Sequence, residues 1–215
     1  MTKISLPDSV GPYCAAHTTP ESPVLAALNR ETNLKVPSAV MLSGHLQGAF
    51  LQMISHAIKP RRILEIGTFT GYSAICLAQG LTNDGILHTV DIEEELDFLT
   101  TKYFKEAGLE DKIITHIGKA ANVIPDINEL FDLVFIDADK VNYGLYYDMV
   151  FDKVVPGGFI LADNVLYEGE VTLPLEQQSK NARAMDEFNK KINNDNRVEQ
   201  MILSLRDGIT MIRKK

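Results

Sequence analysis

The stretch "ILEIGTFTGYSA" at residues 63–74 combines a short apolar run, a loop with two glycines and the beginning of a helical pattern. This order is typical of the first strand–helix unit of an α/β sheet. Gly67 and Gly71 allow the backbone to turn tightly and to approach a ligand at the start of the helix. Because the GxxxG spacing matches neither the GxGxxG fingerprint nor the P-loop, a dinucleotide or a nucleoside triphosphate is the weaker interpretation.

Further short, apolar, β-rich segments alternate with helical segments along the rest of the chain. The predicted strands are 61–67, 85–92, 112–118, 131–138 and 157–165, and the predicted helices between them are 72–79, 94–107, 120–125 and 143–151. Such alternation predicts right-handed crossovers and a parallel sheet covered on both faces. After a polar helix at 179–192, "RVEQMILSL" and "GITMIRKK" flank Arg206-Asp207-Gly208, a hairpin signal. We therefore predict an α/β fold: a doubly wound, mostly parallel seven-stranded sheet with an antiparallel C-terminal hairpin.

The N-terminal part of the chain carries extra helices. Apolar residues recur at helical spacing from Glu21 to about Ile58, and Pro37 separates two helices. No Pro/Gly/Ser-rich linker divides the 215 residues. We predict one domain over 1–215, made of an N-terminal helical cap (1–60) and a cofactor-binding α/β core (61–215).

Composition narrows the class of protein. A formal net charge of −8 and a pI near 5.1 disfavour binding to nucleic acid or to anionic membranes, unless a local basic patch overrides the overall field. Cys14 and Cys76 lie far apart without CxxC spacing, as expected for free thiols in a reducing compartment. Because the N-terminus has no apolar signal region and the chain no run of about 18 apolar residues, we expect a soluble, cytoplasmic protein.

Acidic residues follow three of the predicted strands. Asp91, at the end of "TVDI", is placed to accept hydrogen bonds from ribose hydroxyls. Many βα turns use glycine only for packing, but a glycine turn followed by this acid favours a nucleoside cofactor.

Two apolar strands end in acids, in "LVFIDADK" (133–140) and "GFILADNV" (158–165). Neighbouring parallel strands would bring Asp137, Asp163 and Asn164 together, and three oxygen donors suit Mg²⁺, or Mn²⁺ or Ca²⁺, better than zinc. The alternative is that Asp163-Asn164 only caps a helix or forms an Asx turn. Lys140, three residues after Asp137, is a candidate base, although a lone lysine is usually a solvated surface residue.

Taken together, these segments resemble one family. "LEIGTFTGYSA", "VDI", "FIDADKVNY", "GGFILADNVL" and "RDGIT", the last similar to the family's "GDGIT", are similar in sequence and order to motifs of the cation-dependent class I O-methyltransferases, which include the catechol and caffeoyl-coenzyme A enzymes. The resemblance runs from about Met41 to the C-terminus. It implies S-adenosylmethionine as cofactor.

The resemblance also implies roles for particular residues. The cofactor residues would be Leu42, Glu65, Gly67, Thr68, Gly71, Tyr72, Ser73, Asp91, Ile92, Ala120, Asp137 and Asp139, with Asp91 on the ribose and Ala120 on the adenine. Asp137, Asp163 and Asn164 would bind the metal, and Asp137 and Lys140 would be catalytic. Two departures concern the acceptor: Tyr167-Glu168 replaces the Trp-Asn of plant members, and "MLSGHLQGAF" lacks their acidic residue.

The leading hypothesis is methylation of one hydroxyl of a catechol-like or phenolic small molecule. Some relatives methylate hydroxyuridine in tRNA instead, and Arg61, Arg62, Lys102 and Lys105 are candidates for a local basic patch. A non-catalytic nucleoside-binding module, a phosphohydrolase with an aspartyl nucleophile and a nicotinamide dehydrogenase are further alternatives. At family level, the N-terminal helices are expected to cover the site or to build a homodimer.

Overall fold

A seven-stranded mixed sheet forms the centre of the computed structural model, which describes residues 9–215. The strands are β1 (Arg62–Ile66), β2 (Ile86–Asp91), β3 (Ile113–Ile117), β4 (Phe131–Ile136), β5 (Val154–Asp163), β6 (Val198–Leu203) and β7 (Ile209–Lys214). Their order is β3-β2-β1-β4-β5-β7-β6. β1 to β5 pair in parallel, and β7 runs antiparallel between β5 and β6. The predicted doubly wound sheet with an antiparallel C-terminal hairpin is confirmed.

Eight helices pack around the sheet in the described part of the chain. They are α1 (Val10–Ala16), α2 (Pro23–Lys35), α3 (Gly44–Ile58), α4 (Tyr72–Ala78), α5 (Asp97–Glu106), α6 (Ala120–Val123), α7 (Tyr143–Phe151) and α8 (Lys180–Asn193). Local sequence explains several of their ends. Ser22 accepts a hydrogen bond from the backbone N–H of Leu25 at the start of α2, and Ser179 does the same for Ala182 at the start of α8.

The two faces of the sheet bury two separate apolar clusters, because successive side chains of a strand point to opposite faces. Ile63 and Phe135 pack with α2, α3, α4 and α5 on one face. Leu64 and Ile136 pack with α6, α7 and α8 on the other. Helices therefore cover both faces, as expected for parallel strands that are apolar throughout.

Three features of the elements differ from the sequence prediction. Helix α1 was not predicted. Residues 94–96 form a 3₁₀ turn before α5 instead of its first α-helical turn. Strand β5 begins at Val154, not at residue 157, because its pairing with β4 shifts between Phe131 and Leu133, and the extra residues of β5 accommodate Pro156.

The state of the cysteines and the character of the helices also bear on the sequence predictions. Cys14 is exposed and Cys76 buried, and both are free thiols, as predicted. Within residues 9–215, none of the helices combines the length and the apolar character needed to cross a membrane. Residues 1–8 of the N-terminal segment, for which no signal region is expected, lie outside the described residues.

Candidate active site

A cavity of about 780 Å³ opens beyond the carboxyl ends of β1, β2, β4 and β5. The strand order reverses between β1 and β4, and ligands of open α/β sheets bind at such a reversal. Thirteen of the residues predicted for the site line this cavity: Leu42, Gly67, Thr68, Tyr72, Ser73, Asp91, Ile92, Ala120, Asp137, Asp139, Lys140, Asp163 and Asn164. Two residues that the resemblance assigned to the cofactor, Glu65 and Gly71, are not among the lining residues.

The loop after β1 needs its glycines for two different reasons. Gly67 has φ +105°, and a Cβ atom at this position would lie 1.9 Å from the carbonyl oxygen of Asp137. Gly71 has φ +87°, and a Cβ atom there would lie 2.6 Å from Cε1 of Phe104 on α5. Gly67 thus allows the β1 and β4 loops to approach each other at the cavity. Gly71 allows a left-handed turn and close packing against Phe104, outside the cavity lining.

Asp91 is joined to this glycine loop by backbone hydrogen bonds. Its Oδ2 accepts from the N–H groups of Thr68 at 2.9 Å and Phe69 at 2.7 Å, and its Oδ1 accepts from the N–H of Glu93 at 3.0 Å. An ionised carboxylate offers about four lone-pair sites, so Asp91 retains capacity for further donors. It is a carboxylate held in place at the cavity wall, suited to accept from ligand hydroxyls.

Glu65 lies one layer behind the cavity wall. Its side chain is fully buried, and its Oε2 accepts a hydrogen bond from the Thr89 hydroxyl at 2.5 Å. The Thr89 hydroxyl in turn lies 2.5 Å from the hydroxyl of Thr68, which lines the cavity. The other oxygen, Oε1, has no hydrogen-bond partner among the described residues. Burial raises the pKa of the Glu65 carboxyl to about 8, so it is mostly protonated at neutral pH in the ligand-free protein.

Helix α2 and the segment before it support the glycine loop from outside. The Tyr72 hydroxyl donates to Oε1 of Glu21 at 2.5 Å, and the Thr32 hydroxyl donates to that of Thr70 at 3.1 Å. Residues 40–43, between α2 and α3, line the cavity itself. The segment between α2 and α3 is therefore part of the cavity wall, and α2 supports the glycine loop from outside.

Asp139 lines the cavity and accepts hydrogen bonds from two donors. Its Oδ1 accepts from the Tyr146 hydroxyl, and its Oδ2 accepts from Nδ2 of Asn142, both at 2.5 Å. Tyr146 also lines the cavity. Sequence analysis did not single out Tyr146, although its position seven residues after Asp139, on a helix that begins at Tyr143, could have indicated it.

Asp137 and Lys140 form an ion pair at the end of β4. The Lys140 Nζ lies 3.0 Å from Oδ1 of Asp137 and donates to the Tyr143 hydroxyl at 2.8 Å. That hydroxyl donates to the carbonyl oxygen of Ile136 at 3.2 Å, so the phenol is fixed as an acceptor for the lysine. The lysine side chain is only 14% exposed, which separates it from an ordinary solvated surface lysine.

Asp163 is the most deeply buried acid that lines the cavity. It is 3% exposed and accepts from Nε2 of Gln47 at 2.5 Å and from its neighbour's backbone, the N–H of Asn164, at 2.8 Å. Burial, together with the negative charge of Asp137, raises the pKa of Asp163 to about 6. Asn164 has φ +57°, a left-handed conformation that asparagine tolerates better than most residues.

The chemistry of these donors fits a hard divalent cation. Within residues 9–215 no three His, Cys, Asp or Glu side chains form a group that could hold a metal ion, so the candidate set depends on the amide oxygen of Asn164 beside two carboxylates. Two carboxylates and one amide, all oxygen donors, match the preference of Mg²⁺, which usually retains several waters. A cation would also relieve the mutual repulsion of Asp137 and Asp163.

Sequence analysis missed two side chains near this acid cluster: Gln47, which contacts Asp163, and Arg206, which contacts Gln47. Gln47 is 1% exposed and lies in "MLSGHLQGAF", where only the lack of an acid was noted. Arg206 lines the cavity from the β6–β7 loop, where it was assigned only to a hairpin turn. A polar residue on the buried face of α3 was the signal for Gln47. No local signal marked Arg206.

Comparison with known proteins identifies the family of this chain. The model of a family described as O-methyltransferase matches residues 15–215. Caffeoyl-CoA O-methyltransferase 1 of Eucalyptus globulus is 35% identical over 195 residues, which cover 86% of this chain and 79% of the relative. A probable caffeoyl-CoA O-methyltransferase 2 of Dictyostelium discoideum is 29% identical and covers 99% of this chain and 94% of its own length.

Solved structures agree with the sequence relatives. An SAH-bound methyltransferase from Podospora anserina superposes with a TM-score of 0.90 at 28% identity, with all of both chains covered. An O-methyltransferase from Bacillus cereus, in complex with SAH, gives a TM-score of 0.85 at 30% identity, with 96% of this chain and 97% of the other covered. This chain therefore belongs to the O-methyltransferase family, with relatives of the caffeoyl-CoA O-methyltransferase type, and is an O-methyltransferase.

Proposed function

We propose that this enzyme transfers the methyl group of S-adenosylmethionine to one hydroxyl of a catechol-like small molecule with the help of a divalent cation, Mg²⁺ in the first place. The observation that carries the proposal is that one cavity is lined both by the glycine loop with its tethered Asp91 and by Asp137, Lys140, Asp163 and Asn164. The first group suits a nucleoside cofactor, and the second suits a metal-assisted reaction of an oxygen nucleophile.

Several features support S-adenosylmethionine as the methyl donor. The structures from Podospora anserina and Bacillus cereus contain SAH, its demethylated product. Asp91 is placed to accept from ribose hydroxyls, and Asp139 with Tyr146 forms a further polar wall. When bound, the sulfonium of the cofactor supplies the methyl group for an in-line displacement.

The acceptor hydroxyl must lose its proton before or during attack. A phenol with a pKa of about 10 is only about one-thousandth ionised at pH 7, which adds roughly 4 kcal/mol to the barrier. A divalent cation held by Asp137, Asp163 and Asn164 would stabilise the oxyanion and orient two adjacent hydroxyls. This requirement favours a vicinal diol over a single hydroxyl as acceptor.

Lys140 is the residue of this chain best placed to handle the proton. Its Nζ lies at the cavity wall, 3.0 Å from Asp137, and is held by the Tyr143 hydroxyl. This arrangement orients the amine toward the group that Asp137 would bind. After losing one proton to solvent, Lys140 would take the proton of the acceptor hydroxyl at Nζ, and the ammonium formed in this way would stabilise the negative charge left behind.

The alternative tRNA acceptor receives less support from the surface charges. Arg61 forms an ion pair with Asp84 at 2.9 Å, and Arg62 forms one with Glu129 at 3.2 Å. Lys102 lies 2.5 Å from Glu31. Because three of the four candidate cations face acids of this chain, they do not add up to a free basic patch for a phosphate backbone.

The test is methyl transfer from labelled S-adenosylmethionine to a panel of catechols, caffeate, caffeoyl-CoA and undermethylated tRNA, with Mg²⁺ and with EDTA. Transfer to a diol that EDTA abolishes and Mg²⁺ restores is expected. Asp137→Asn should reduce that transfer by at least about 100-fold while the thermal unfolding temperature stays within a few degrees. Transfer that EDTA does not affect would refute the metal, and transfer to tRNA alone would refute the small-molecule acceptor.

A further inference from the structure

Arg206 occupies an unusual backbone position beside the cavity. It lies in the loop between β6 and β7 and has φ +49°, in the left-handed region where a glycine is favoured. A non-glycine residue in this region is strained, and such strain persists where the surrounding structure requires the side chain. The question is what the Arg206 side chain does that glycine could not.

The guanidinium of Arg206 reaches across the cavity wall to the start of α3. Its Nη1 donates to the carbonyl oxygens of Leu42, at 3.1 Å, and of Ser43, and to Oε1 of Gln47 at 3.1 Å. Gln47 is buried, so its amide depends on partners within the protein. Since the guanidinium only donates, it fixes the amide oxygen of Gln47 on its own side.

This orientation determines what Gln47 presents to Asp163. With Oε1 turned to Arg206, the amide nitrogen Nε2 donates to Oδ2 of Asp163 at 2.5 Å. A flipped amide would set an N–H group against the guanidinium and an oxygen against the carboxylate, and both contacts would be repulsive. Arg206 therefore acts on Asp163 through Gln47, and this hydrogen bond holds the Asp163 carboxylate in one rotational position.

The next residue of the same loop makes a similar contact with Asn164. Oδ2 of Asp207 accepts from Nδ2 of Asn164 at 3.3 Å, and its Oδ1 accepts from the backbone N–H of Glu168 at 2.6 Å. Because Nδ2 is engaged in this way, Oδ1 is the amide atom of Asn164 left for a cation. The backbone N–H of Leu166 also donates to the carbonyl oxygen of Asp207, at 2.9 Å.

We infer that Arg206 and Asp207 are positioning residues for the divalent cation: they orient two of its three protein ligands, Asp163 through Gln47 and Asn164 directly. This inference rests on the proposed function, because it assumes that Asp163 and Asn164 bind the metal. Groups that orient metal ligands typically change metal affinity by 10–100-fold when they are removed. The C-terminal hairpin loop, remote in sequence from the acids, thus sets how tightly the metal binds.

The experiment measures Mn²⁺ binding directly, by electron paramagnetic resonance of the free ion, with purified wild-type protein and variants and without any methyl acceptor. Arg206→Gly removes the guanidinium and relieves the left-handed backbone, but it also leaves the buried Gln47 oxygen without its donor, so it should fold with the circular dichroism spectrum of the wild type and a moderately lower thermal unfolding temperature. Its Kd for Mn²⁺ should rise by about 10-fold or more. Arg213→Ala is the matched control, because Arg213 lies on the same hairpin but pairs with Glu199 at 3.1 Å, outside the cavity.

A double-mutant cycle separates positioning from a general structural effect. Gln47→Leu should also weaken Mn²⁺ binding. In the Gln47→Leu background, Arg206→Gly should change the Kd for Mn²⁺ by less than a further twofold, because no amide then links Arg206 to Asp163. Arg206→Lys, which retains a donor for Gln47, should recover part of the affinity. Asp207→Asn should weaken binding independently, through Asn164.

The outcomes separate the two levels of the proposal. If wild-type protein does not bind Mn²⁺, the metal site of the proposed function is refuted, and this inference is refuted with it. If wild-type protein binds Mn²⁺ but Arg206→Gly and Asp207→Asn bind it equally well, only the positioning role is overturned. Independent, additive losses from Arg206→Gly and Gln47→Leu would overturn the route through Gln47.

Discussion

The buried carboxyl of Glu65 makes the stability of the ligand-free protein depend on pH in an unusual direction. Its pKa is about 8 in the folded protein, against 4.5 for an ordinary glutamate. Below pH 4.5 the group is protonated in both the folded and the unfolded chain, so its contribution to stability is fully present. Between pH 4.5 and 8 unfolding releases a proton, and this stability is lost as the pH rises.

The size of the change in unfolding free energy follows from the raised pKa of Glu65. Each pKa unit corresponds to about 1.36 kcal/mol, so between pH 5 and pH 8 the free energy of unfolding should fall by about 3 kcal/mol on account of Glu65 alone. Glu65→Gln carries no titrating proton and should lack this fall. The physical reason is that the fully buried carboxylate has only one hydrogen-bonded oxygen to compensate its lost hydration.

The assay is urea unfolding of wild type and Glu65→Gln at pH 5, 6, 7 and 8, without cofactor. Subtracting one free energy from the other at each pH removes the titration of all other groups. The exposed residue Glu187, changed to Gln in the same way, is the control for the loss of one glutamate charge. The reasoning fails if the difference between wild type and Glu65→Gln changes by less than about 0.5 kcal/mol from pH 5 to pH 8.

Two further predictions concern Gly67, in the loop after β1, and Lys140, the proposed base. Gly67→Ala should destabilise the fold by more than about 3 kcal/mol, because its Cβ would lie 1.9 Å from a backbone oxygen. Gly144→Ala is the control: its Cβ would have open space around it, so the free energy of unfolding should change by no more than about 1 kcal/mol. Equal urea midpoints for the two variants would contradict the close approach at Gly67. Lys140→Met should lower kcat, measured by single-turnover kinetics, by about 100-fold or more. The Kd for S-adenosylmethionine, measured by calorimetry, should stay within about threefold of the wild-type value. An unchanged kcat would remove Lys140 from the mechanism.

Much of the fold was predictable because its signals are local. Strands β1 to β4 and helices α4 and α7 lie within a residue or two of their predicted limits, since an apolar run, a glycine turn and a helical period are all visible within about ten residues. The start of β5 was missed because Pro156 opposes a strand locally, while pairing of Val154 with Phe131 of β4 extends the strand past it. Helix α1 was missed because none of its residues is buried, so it has no apolar face to recognise.

The candidate site also combines residues that local sequence patterns indicate with residues that no local pattern indicates. By itself the sequence determined which acids end up beyond the carboxyl ends of neighbouring strands, because β4 and β5 are each followed directly by their acids and parallel strands end at one edge. Only the tertiary structure placed Glu65 behind the wall and joined Arg206, Gln47 and Asp163, which are far apart in the chain. Such contacts depend on which strand lies next to which and on the side chains brought between them. No local pattern encodes that proximity, whereas packing of the sheet and its helices decides it.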